Sequence, residues 1–269
     1  MCGIVGYIGP RQSLPILMEG LERLEYRGYD SAGVAYIQDS NLRVEKQAGK
    51  LRVLQDALDA VDISSTIGIG HTRWATHGAP DQMNAHPHTD CENKIALVHN
   101  GIIENYSNLK KDLINKGHTF TSQTDTEVLA HLIEEYKCDT LEESVAEALK
   151  HVVGAYGLAV ISKDEPEKIV AARSGSPIVV GIGEGEYFIG SDTAALVKYT
   201  REVFYLEDGQ IAVITADDAR TFDMQLENEV QSDKHTIPFN LQRIEKGGYP
   251  HFSHKGIHNQ PSRVGYRMR

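Results

Sequence analysis

The chain has 269 residues, of which 41% are hydrophobic and 24% are charged, a balance typical of a folded globular protein and not of a disordered or fibrous one. Its formal net charge of -11 and its pI near 5.5 argue against non-specific binding to nucleic acid or anionic lipid, because both need a positive patch. The longest apolar runs are much shorter than the roughly 20 residues that span a bilayer, so we expect neither a nucleic-acid partner nor a membrane.

The early part of the chain alternates strand-like and helix-like patterns. Residues 3–9 form an apolar run typical of a buried strand. Five large apolar residues then recur at helical spacing and predict a helix that ends near Gly28: Leu14, Leu17, Met18, Leu21 and Leu24. Further strands are predicted at 32–38, 43–47, 67–72 and 95–99, with a short helix around Leu51, Leu54 and Leu58. The polar stretch before residue 95, rich in His, Pro and Asn, is predicted to be a long ordered loop.

Helical periodicity dominates the middle of the chain. It predicts helices at 106–116, 126–136 and 140–152, with Thr124 or Asp125 as the N-cap of the second and a Thr140–Glu143 capping box opening the third. Strands are then predicted at 156–162, 168–173, 178–182, 186–190, 202–206, 210–215 and 219–224. Strands, then helices, then strands indicate two sheets with helices packed outside them.

The last 36 residues lose this periodicity. From Lys234 onward no clear pattern remains, and 251–269 contains four Lys or Arg and no acidic residue. We interpret this segment as a linker or tail.

The three cysteines are Cys2, Cys91 and Cys138. An odd number without C-x-x-C spacing fits neither a disulfide framework nor a thiolate zinc site. The first residues also lack the charged segment and long apolar stretch of a secretory signal. We therefore expect a cytoplasmic protein.

Cys2 directly follows the initiator methionine, whose removal the small cysteine side chain should permit. Cys2 would then carry both a thiol and a free α-amine. The reference pKa of an α-amine is about 7.7 to 8, so an appreciable neutral fraction exists near pH 7. That amine can act as the base for its own thiol, directly or through one water. The alternative is that Cys2 is an inert residue. Motifs in the rest of the chain are needed to distinguish a catalytic from an inert Cys2.

Five further motifs follow MCGIVGYIG in order: EYRGYDSAG (25–33), HTRWATHG (71–78), NAHPH (84–88), HNGIIEN (99–105) and TDTE (124–127). Together they closely resemble the glutaminase half of the glutamine:fructose-6-phosphate aminotransferase family. AARSGSP (171–177), GSD (190–192) and KGGYPHF (246–252) extend the resemblance to about residue 252. Amidophosphoribosyltransferase and asparagine synthetase share the terminal cysteine. Trp74 and the YRGYD sequence, however, resemble the sugar-phosphate aminotransferases.

The resemblance implies an α+β fold, a four-layer αββα sandwich of the N-terminal-nucleophile hydrolase type with Cys2 at the end of a central strand. It places the glutaminase domain at residues 2–240 and a linker or tail at 241–269, with no sugar-phosphate isomerase domain. The chain is then a fragment of a longer polypeptide or a subunit whose isomerase partner acts in trans, and a homodimer remains open.

The resemblance also implies a binding site for L-glutamine. Cys2 matches the nucleophile, and Asn100 and Gly101 match the oxyanion hole. Arg73 matches the arginine that grips the substrate carboxylate, and Asp125 the acid that pairs with the substrate ammonium.

Four more positions match the family around this site. Trp74, Thr76 and His77 lie on the loop that resembles the glutamine lid, and His86 lies in a further matching segment. Arg27 and Asp30 are interpreted as residues that support the loop under the nucleophile.

Each of these residues also has a plainer interpretation. Arg73 is alternatively a surface ion-pair partner, Asn100-Gly101 a turn after a strand, and Asp125 a helix cap. For the whole chain, the alternatives are a glutamine-binding or interaction module without turnover, and an acylase for larger amides, which would need an open apolar pocket in place of Arg73 and Asp125.

Twelve histidines raise the question of a metal, with His86, His88 and Cys91 as candidate ligands on one loop. Thiol-based glutamine hydrolysis needs no metal, and no familiar ligand spacing completes this set. We therefore expect neither a metal nor another cofactor.

Overall fold

The computed structural model describes residues 2–59, 61–75 and 78–238, and the described residues up to Thr236 belong to one compact unit. The strands are β1 (Gly3–Ile8), β2 (Ser31–Gln38), β3 (Asn41–Ala48), β4 (Ile67–Arg73), β5 (His88–Thr89), β6 (Ile95–Ile103), β7 (Gly154–Ser162), β8 (Glu165–Ser174), β9 (Val179–Ile182), β10 (Tyr187–Gly190), β11 (Glu202–Tyr205), β12 (Gln210–Ile214), β13 (Ala219–Asp223) and β14 (His235–Thr236). The α-helices are α1 (Ser13–Leu24), α2 (Leu51–Leu58), α3 (Tyr106–Asn115), α4 (Glu127–Glu135) and α5 (Leu141–Leu149).

The strands form two sheets. One has the order β14-β11-β9-β10-β1-β4-β2-β3 and the other the order β13-β12-β8-β7-β6-β5, and neighbouring strands pair antiparallel. Every strand that joins a sheet between residues 3 and 223 was predicted from the sequence to within a few residues, except β5.

The two faces of β1 explain why its sequence is apolar throughout. Ile4 and Ile8 enter the apolar core between the sheets, where they join Val98 of the second sheet. Val5 points the other way, and a Cβ added to Gly20 of α1 would lie 2.8 Å from its Cγ1. Because side chains alternate between the faces of a strand, β1 is buried on both sides.

Helices cover the outer faces of both sheets. Leu17 and Leu21 of α1 are fully buried against the first sheet. Leu129 and Val145, from α4 and α5, join Leu97 and Leu158 of the second sheet in a separate apolar cluster. The result is four layers in the order helix, sheet, sheet, helix, which confirms the predicted αββα sandwich.

Four local details confirm, correct or extend the predictions. The Thr140–Glu143 capping box is present. The N-cap of α4 is Thr126, without a side-chain cap hydrogen bond, so the prediction of Thr124 or Asp125 was wrong. Strand β6 continues to Ile103, four residues further than predicted, and the two-residue strands β5 and β14 were not foreseen.

No helix within the described ranges is long and apolar enough to cross a membrane. Met1, the predicted lid residues Thr76 and His77, and the predicted tail 241–269 lie outside the described residues.

Candidate active site

Cys2 precedes the first residue of β1, and Gly3 pairs there with Thr72 near the end of β4. The backbone N–H of Trp74 donates to Cys2 Sγ at 3.2 Å, and Sγ lies 3.6 Å from the Trp74 carbonyl oxygen. Gly28 makes room for this segment, since a Cβ there would lie 2.7 Å from the Arg73 carbonyl carbon.

The environment of Cys2 affects the state of its thiol. Burial raises the pKa of Cys2 above the usual thiol range, while the Trp74 amide and the charge of Arg73 oppose that rise. Sγ forms its two hydrogen bonds within the described residues with the backbone of Trp74, so neither partner is a side-chain base. A protonated thiol here needs a base before it can act as a nucleophile.

Asn100 and Gly101 lie within β6, opposite Gly157 and Tyr156 of β7. The side-chain amide of Asn100 donates from Nδ2 to the Cys2 carbonyl oxygen at 3.2 Å. Gly101 has φ +140°, and a Cβ on it would lie 1.9 Å from the Ala155 carbonyl oxygen. The interpretation of Asn100-Gly101 as a turn was therefore wrong, and Gly101 allows a close backbone approach that other residues would prevent.

Arg73 and Asp125 bring opposite charges to the same pocket. Arg73 ends β4, is only 4% exposed and donates from Nη1 to the Ala79 carbonyl oxygen at 3.1 Å. Asp125 is 5% exposed and accepts the Ile103 N–H at 2.8 Å. The alternatives of a surface ion pair for Arg73 and a helix cap for Asp125 were thus both wrong.

These groups surround a cavity of about 470 Å³. That volume falls in the range typical of small-molecule sites. The lining includes every predicted site residue that the structure describes: Cys2, Arg73, Trp74, His86, Asn100, Gly101 and Asp125.

His86 and Trp74 differ in their surroundings. His86 is buried, and its Nδ1 accepts the His99 N–H at 3.3 Å. Burial lowers the pKa of His86 well below its usual value, so the ring is neutral near pH 7. Trp74 is 46% exposed and packs edge-to-face on Tyr29, with ring centroids 5.6 Å apart. Trp74 is therefore at the mouth of the pocket and His86 in its wall.

Arg27 and Asp30 hold the loops around Cys2, as predicted. Arg27 forms an ion pair with Asp192. Asp30 accepts the Ala75 N–H at 2.8 Å, and its own N–H donates to the Arg73 carbonyl oxygen at 3.0 Å.

Sequence reasoning missed some residues that support the pocket. His71 Nε2 lies 3.0 Å from Asn100 Oδ1, and Ser191 Oγ accepts the Ile4 N–H at 3.0 Å. His99 Nδ1 contacts Thr126 Oγ1 at 2.8 Å. The signal for His71 and His99 was present, because each lies one or two residues before a predicted site residue in the same motif.

Comparison with known proteins agrees with this geometry. A protein-family model described as a glutamine amidotransferase domain matches residues 56–261. Glutamine--fructose-6-phosphate aminotransferase [isomerizing] from Caldanaerobacter subterraneus subsp. tengcongensis is 49% identical over 269 residues, which are 100% of this chain and 44% of that protein. The protein of the same name from Bacteroides thetaiotaomicron is 52% identical over 274 residues, with the same two coverages. The chain thus spans less than half the length of these relatives.

A solved structure shares the fold. Glutamine phosphoribosylpyrophosphate amidotransferase from B. subtilis, complexed with ADP and GMP, has a TM-score of 0.73 and 26% sequence identity, and the match covers 90% of this chain and 55% of that one. The sandwich with Cys2 at the end of a central strand is therefore the N-terminal-nucleophile type of these enzymes. Since the family model matches most of the sequence, the chain belongs to the glutamine amidotransferase family.

Proposed function

We propose that residues 2–240 form a glutaminase domain that hydrolyses L-glutamine to glutamate and ammonia, with Cys2 as the nucleophile. The observation that carries this proposal is the convergence of Cys2, Asn100, Arg73 and Asp125 on one pocket. Together they offer a thiol, an amide donor and two opposite charges.

The base is the α-amine of Cys2, freed by removal of Met1. Two features support this choice. The thiol is buried, with a raised pKa, and His86 is held neutral by burial and turns Nδ1 to the His99 N–H. An α-amine with a pKa of about 7.7 to 8 exchanges protons readily near neutral pH.

Once deprotonated, Sγ attacks the carbon of the glutamine side-chain amide and forms a tetrahedral intermediate. Asn100 Nδ2 and the Gly101 N–H stabilise the negative charge on the amide oxygen, and one such donor typically lowers the barrier by about 3 kcal/mol. The α-ammonium returns the proton to the departing nitrogen, and ammonia leaves. Water then cleaves the γ-glutamyl thioester to glutamate and regenerates the thiol.

Arg73 and Asp125 recognise a free amino acid by both of its charges. The guanidinium binds the α-carboxylate, and the carboxylate binds the α-ammonium. A glutaminyl side chain within a protein lacks both charged groups, so it does not bind. The glutamine lid proposed from the resemblance comprises Trp74, Thr76 and His77, and His86 shapes the pocket wall.

Variants of two cysteines test the nucleophile. Intact-mass analysis first establishes that the chain starts at Cys2, and ammonia and glutamate release are then measured. Cys2→Ala abolishes turnover, whereas Cys138→Ala, at an exposed cysteine outside the pocket, keeps it. A diazo-ketone analogue of glutamine labels the wild type at Cys2. Glutamine binding without turnover by the processed wild type would instead make this a binding module, and turnover by Cys2→Ala would exclude Cys2 as the nucleophile.

A second arm tests recognition. Arg73→Lys keeps the charge but loses the planar fork, so KM for glutamine rises about tenfold or more with a smaller effect on kcat. A wild-type KM in this variant would contradict the role given to Arg73.

The ammonia acceptor is proposed from the relatives alone. It is fructose 6-phosphate, aminated to glucosamine 6-phosphate by an isomerase part that lies in the same polypeptide or in a partner subunit. The surrounding compartment is proposed to be the reducing cytoplasm, which suits the three free cysteines. Addition of a separate sugar-phosphate isomerase domain tests whether fructose 6-phosphate is the acceptor. Glutamine-dependent amino-sugar formation should then appear.

A further inference from the structure

Four potential metal ligands meet outside the glutamine pocket. Cys91 lies in the turn between β5 and β6, His118 follows α3, and His131 and Glu134 lie three residues apart on α4. One ligand atom from each lies within 4.8 Å of all the others. The fold brings these residues together from three separate segments.

Four of the six distances between the ligand atoms are close to those of a tetrahedral zinc site. With bonds of about 2.3 Å to sulfur and 2.05 Å to nitrogen or oxygen, sulfur and nitrogen ligands should be about 3.6 Å apart, and nitrogen and oxygen ligands about 3.3 Å. Cys91 Sγ lies 3.7 Å from His118 Nδ1 and 3.5 Å from His131 Nδ1. Glu134 Oε2 lies 3.0 Å and 3.2 Å from the same two nitrogens.

Outer carboxylates face the second nitrogen of each ring. His118 Nε2 lies 3.1 Å from Glu135 Oε2, and His131 Nε2 lies 3.7 Å from Glu127 Oε1. Glu127 is itself fixed by N–H and hydroxyl donors of Thr121 and Ser122. A carboxylate near the outer nitrogen of an imidazole is the usual arrangement around a bound metal. The carboxylate of Glu135 is within hydrogen-bond distance of His118 Nε2, whereas His131 Nε2 forms no hydrogen bond with Glu127.

The charges of the four ligands suit a divalent cation. One thiolate and one carboxylate together carry two negative charges, which a zinc ion balances, while neutral imidazoles add none. The rings of His118 and His131 lie with their centroids 5.3 Å apart, and His131 is only 1% exposed.

We propose that Cys91, His118, His131 and Glu134 bind one zinc ion in a structural site. All four positions of a tetrahedron are then protein ligands, which is characteristic of structural zinc. The ion ties the β5–β6 turn and the end of α3 to α4. The segment between His118 and His131 carries Asp125, so the site also fixes the backbone next to the glutamine pocket.

The spacing of the residues hid this site. The sequence grouped Cys91 with His86 and His88, but these two histidines turn toward other partners, His99 and Thr124. The actual neighbours of Cys91 lie 27 and 40 positions away along the chain.

Metal content and thermal stability of the full chain test the proposal. Protein stripped with a chelator is mixed with one equivalent of Zn²⁺, desalted and measured by elemental mass spectrometry. Wild type retains about one zinc per chain, and zinc at 100 times its Kd raises the unfolding midpoint by about 5–10 °C. Co²⁺ as a probe gives the intense visible bands of a tetrahedral site and a thiolate charge-transfer band.

The cysteine variants locate the ion. Cys91→Ser, at an exposed position, lowers zinc affinity at least about tenfold and removes the charge-transfer band. Cys138→Ser and Cys2→Ala keep the wild-type zinc affinity and the charge-transfer band. His118→Gln also lowers zinc affinity, although it leaves all three thiols in place. Equal zinc affinity in wild type and Cys91→Ser, or loss of zinc only in Cys2→Ala, would overturn the proposal whether or not the protein hydrolyses glutamine.

Discussion

His71 holds Asn100 by its side-chain oxygen, with His71 Nε2 3.0 Å from Asn100 Oδ1. Burial lowers the pKa of His71 to about 3, so the ring is neutral near pH 7. An amide oxygen only accepts hydrogen bonds, which requires the proton on His71 Nε2. The amide nitrogen of Asn100 must then face the other way, toward the Cys2 carbonyl oxygen at 3.2 Å.

This contact predicts that His71 is a positioning residue for glutamine hydrolysis. His71→Phe leaves Asn100 free to rotate without removing its amide, so we expect kcat to fall about 10- to 100-fold, less than the roughly 100- to 1000-fold typical for complete loss of one oxyanion donor. KM for glutamine should change little, because Arg73 and Asp125 still bind the substrate charges. Steady-state kinetics of ammonia release measure both constants.

His71→Gln is the matched control, because its side-chain N–H can also donate to Asn100 Oδ1. It should recover most of the activity lost in His71→Phe. A rise in KM with unchanged kcat in His71→Phe would show that His71 acts on binding and not on the orientation of Asn100.

Most of the fold was predictable because its strands and helices have distinct periods. The continuous apolar run of β1 and the helical spacing of Leu17, Leu21 and Leu24 are local signals that burial then confirms. Strands β5 and β14 are two residues long, too short for any period to show. They exist because a neighbouring strand supplies the pairing.

The predicted site residues that the structure describes do meet in one pocket. Their backbone conformations and hydrogen-bond partners, however, are determined by contacts with residues distant in the sequence. Asn and Gly normally favour a turn, and only the pairing of Asn100-Gly101 with β7 keeps the chain extended. Asp125 lies just before α4, as a helix cap would, yet its carboxylate accepts a hydrogen bond from Ile103 of β6. Contacts of this kind carry no signal in one sequence.

Gly101 and Gly117 provide a matched pair of substitutions. Both have positive φ, +140° and +104°, so alanine strains the backbone at either position by about 1–3 kcal/mol. At Gly101 the new Cβ would also lie 1.9 Å from the Ala155 carbonyl oxygen, whereas at Gly117 nothing lies within 4 Å. Gly101→Ala should therefore lower the free energy of unfolding by at least about 2 kcal/mol more than Gly117→Ala.

Urea unfolding of the two variants measures this difference. Gly101→Ala should also lose glutaminase activity even where it remains folded, because the clash displaces the Gly101 N–H. Equal unfolding free energies, or full activity in Gly101→Ala, would contradict a close approach of Gly101 to Ala155.

Buried neutral histidines predict that acid destabilises the protein before its carboxylates titrate. The pKa of His71 is about 3 in the folded state against 6.5 for the free side chain, and burial also lowers the pKa of His86 and His88. Between these values the unfolded chain binds more protons than the folded one, so the free energy of unfolding falls as the pH falls below about 6.5. For His71 alone the loss from pH 7 to pH 5 is about 2 kcal/mol.

The same variant His71→Gln isolates this contribution, because glutamine does not titrate. Urea unfolding at pH 7, 6 and 5 should give a shallower pH dependence for His71→Gln than for wild type, with the two curves diverging by about 2 kcal/mol at pH 5. His86 and His88 remain in both proteins, so their share cancels in the comparison. Parallel curves would mean that the folded protein accepts a proton on His71, and then Asn100 would not be held by a neutral ring.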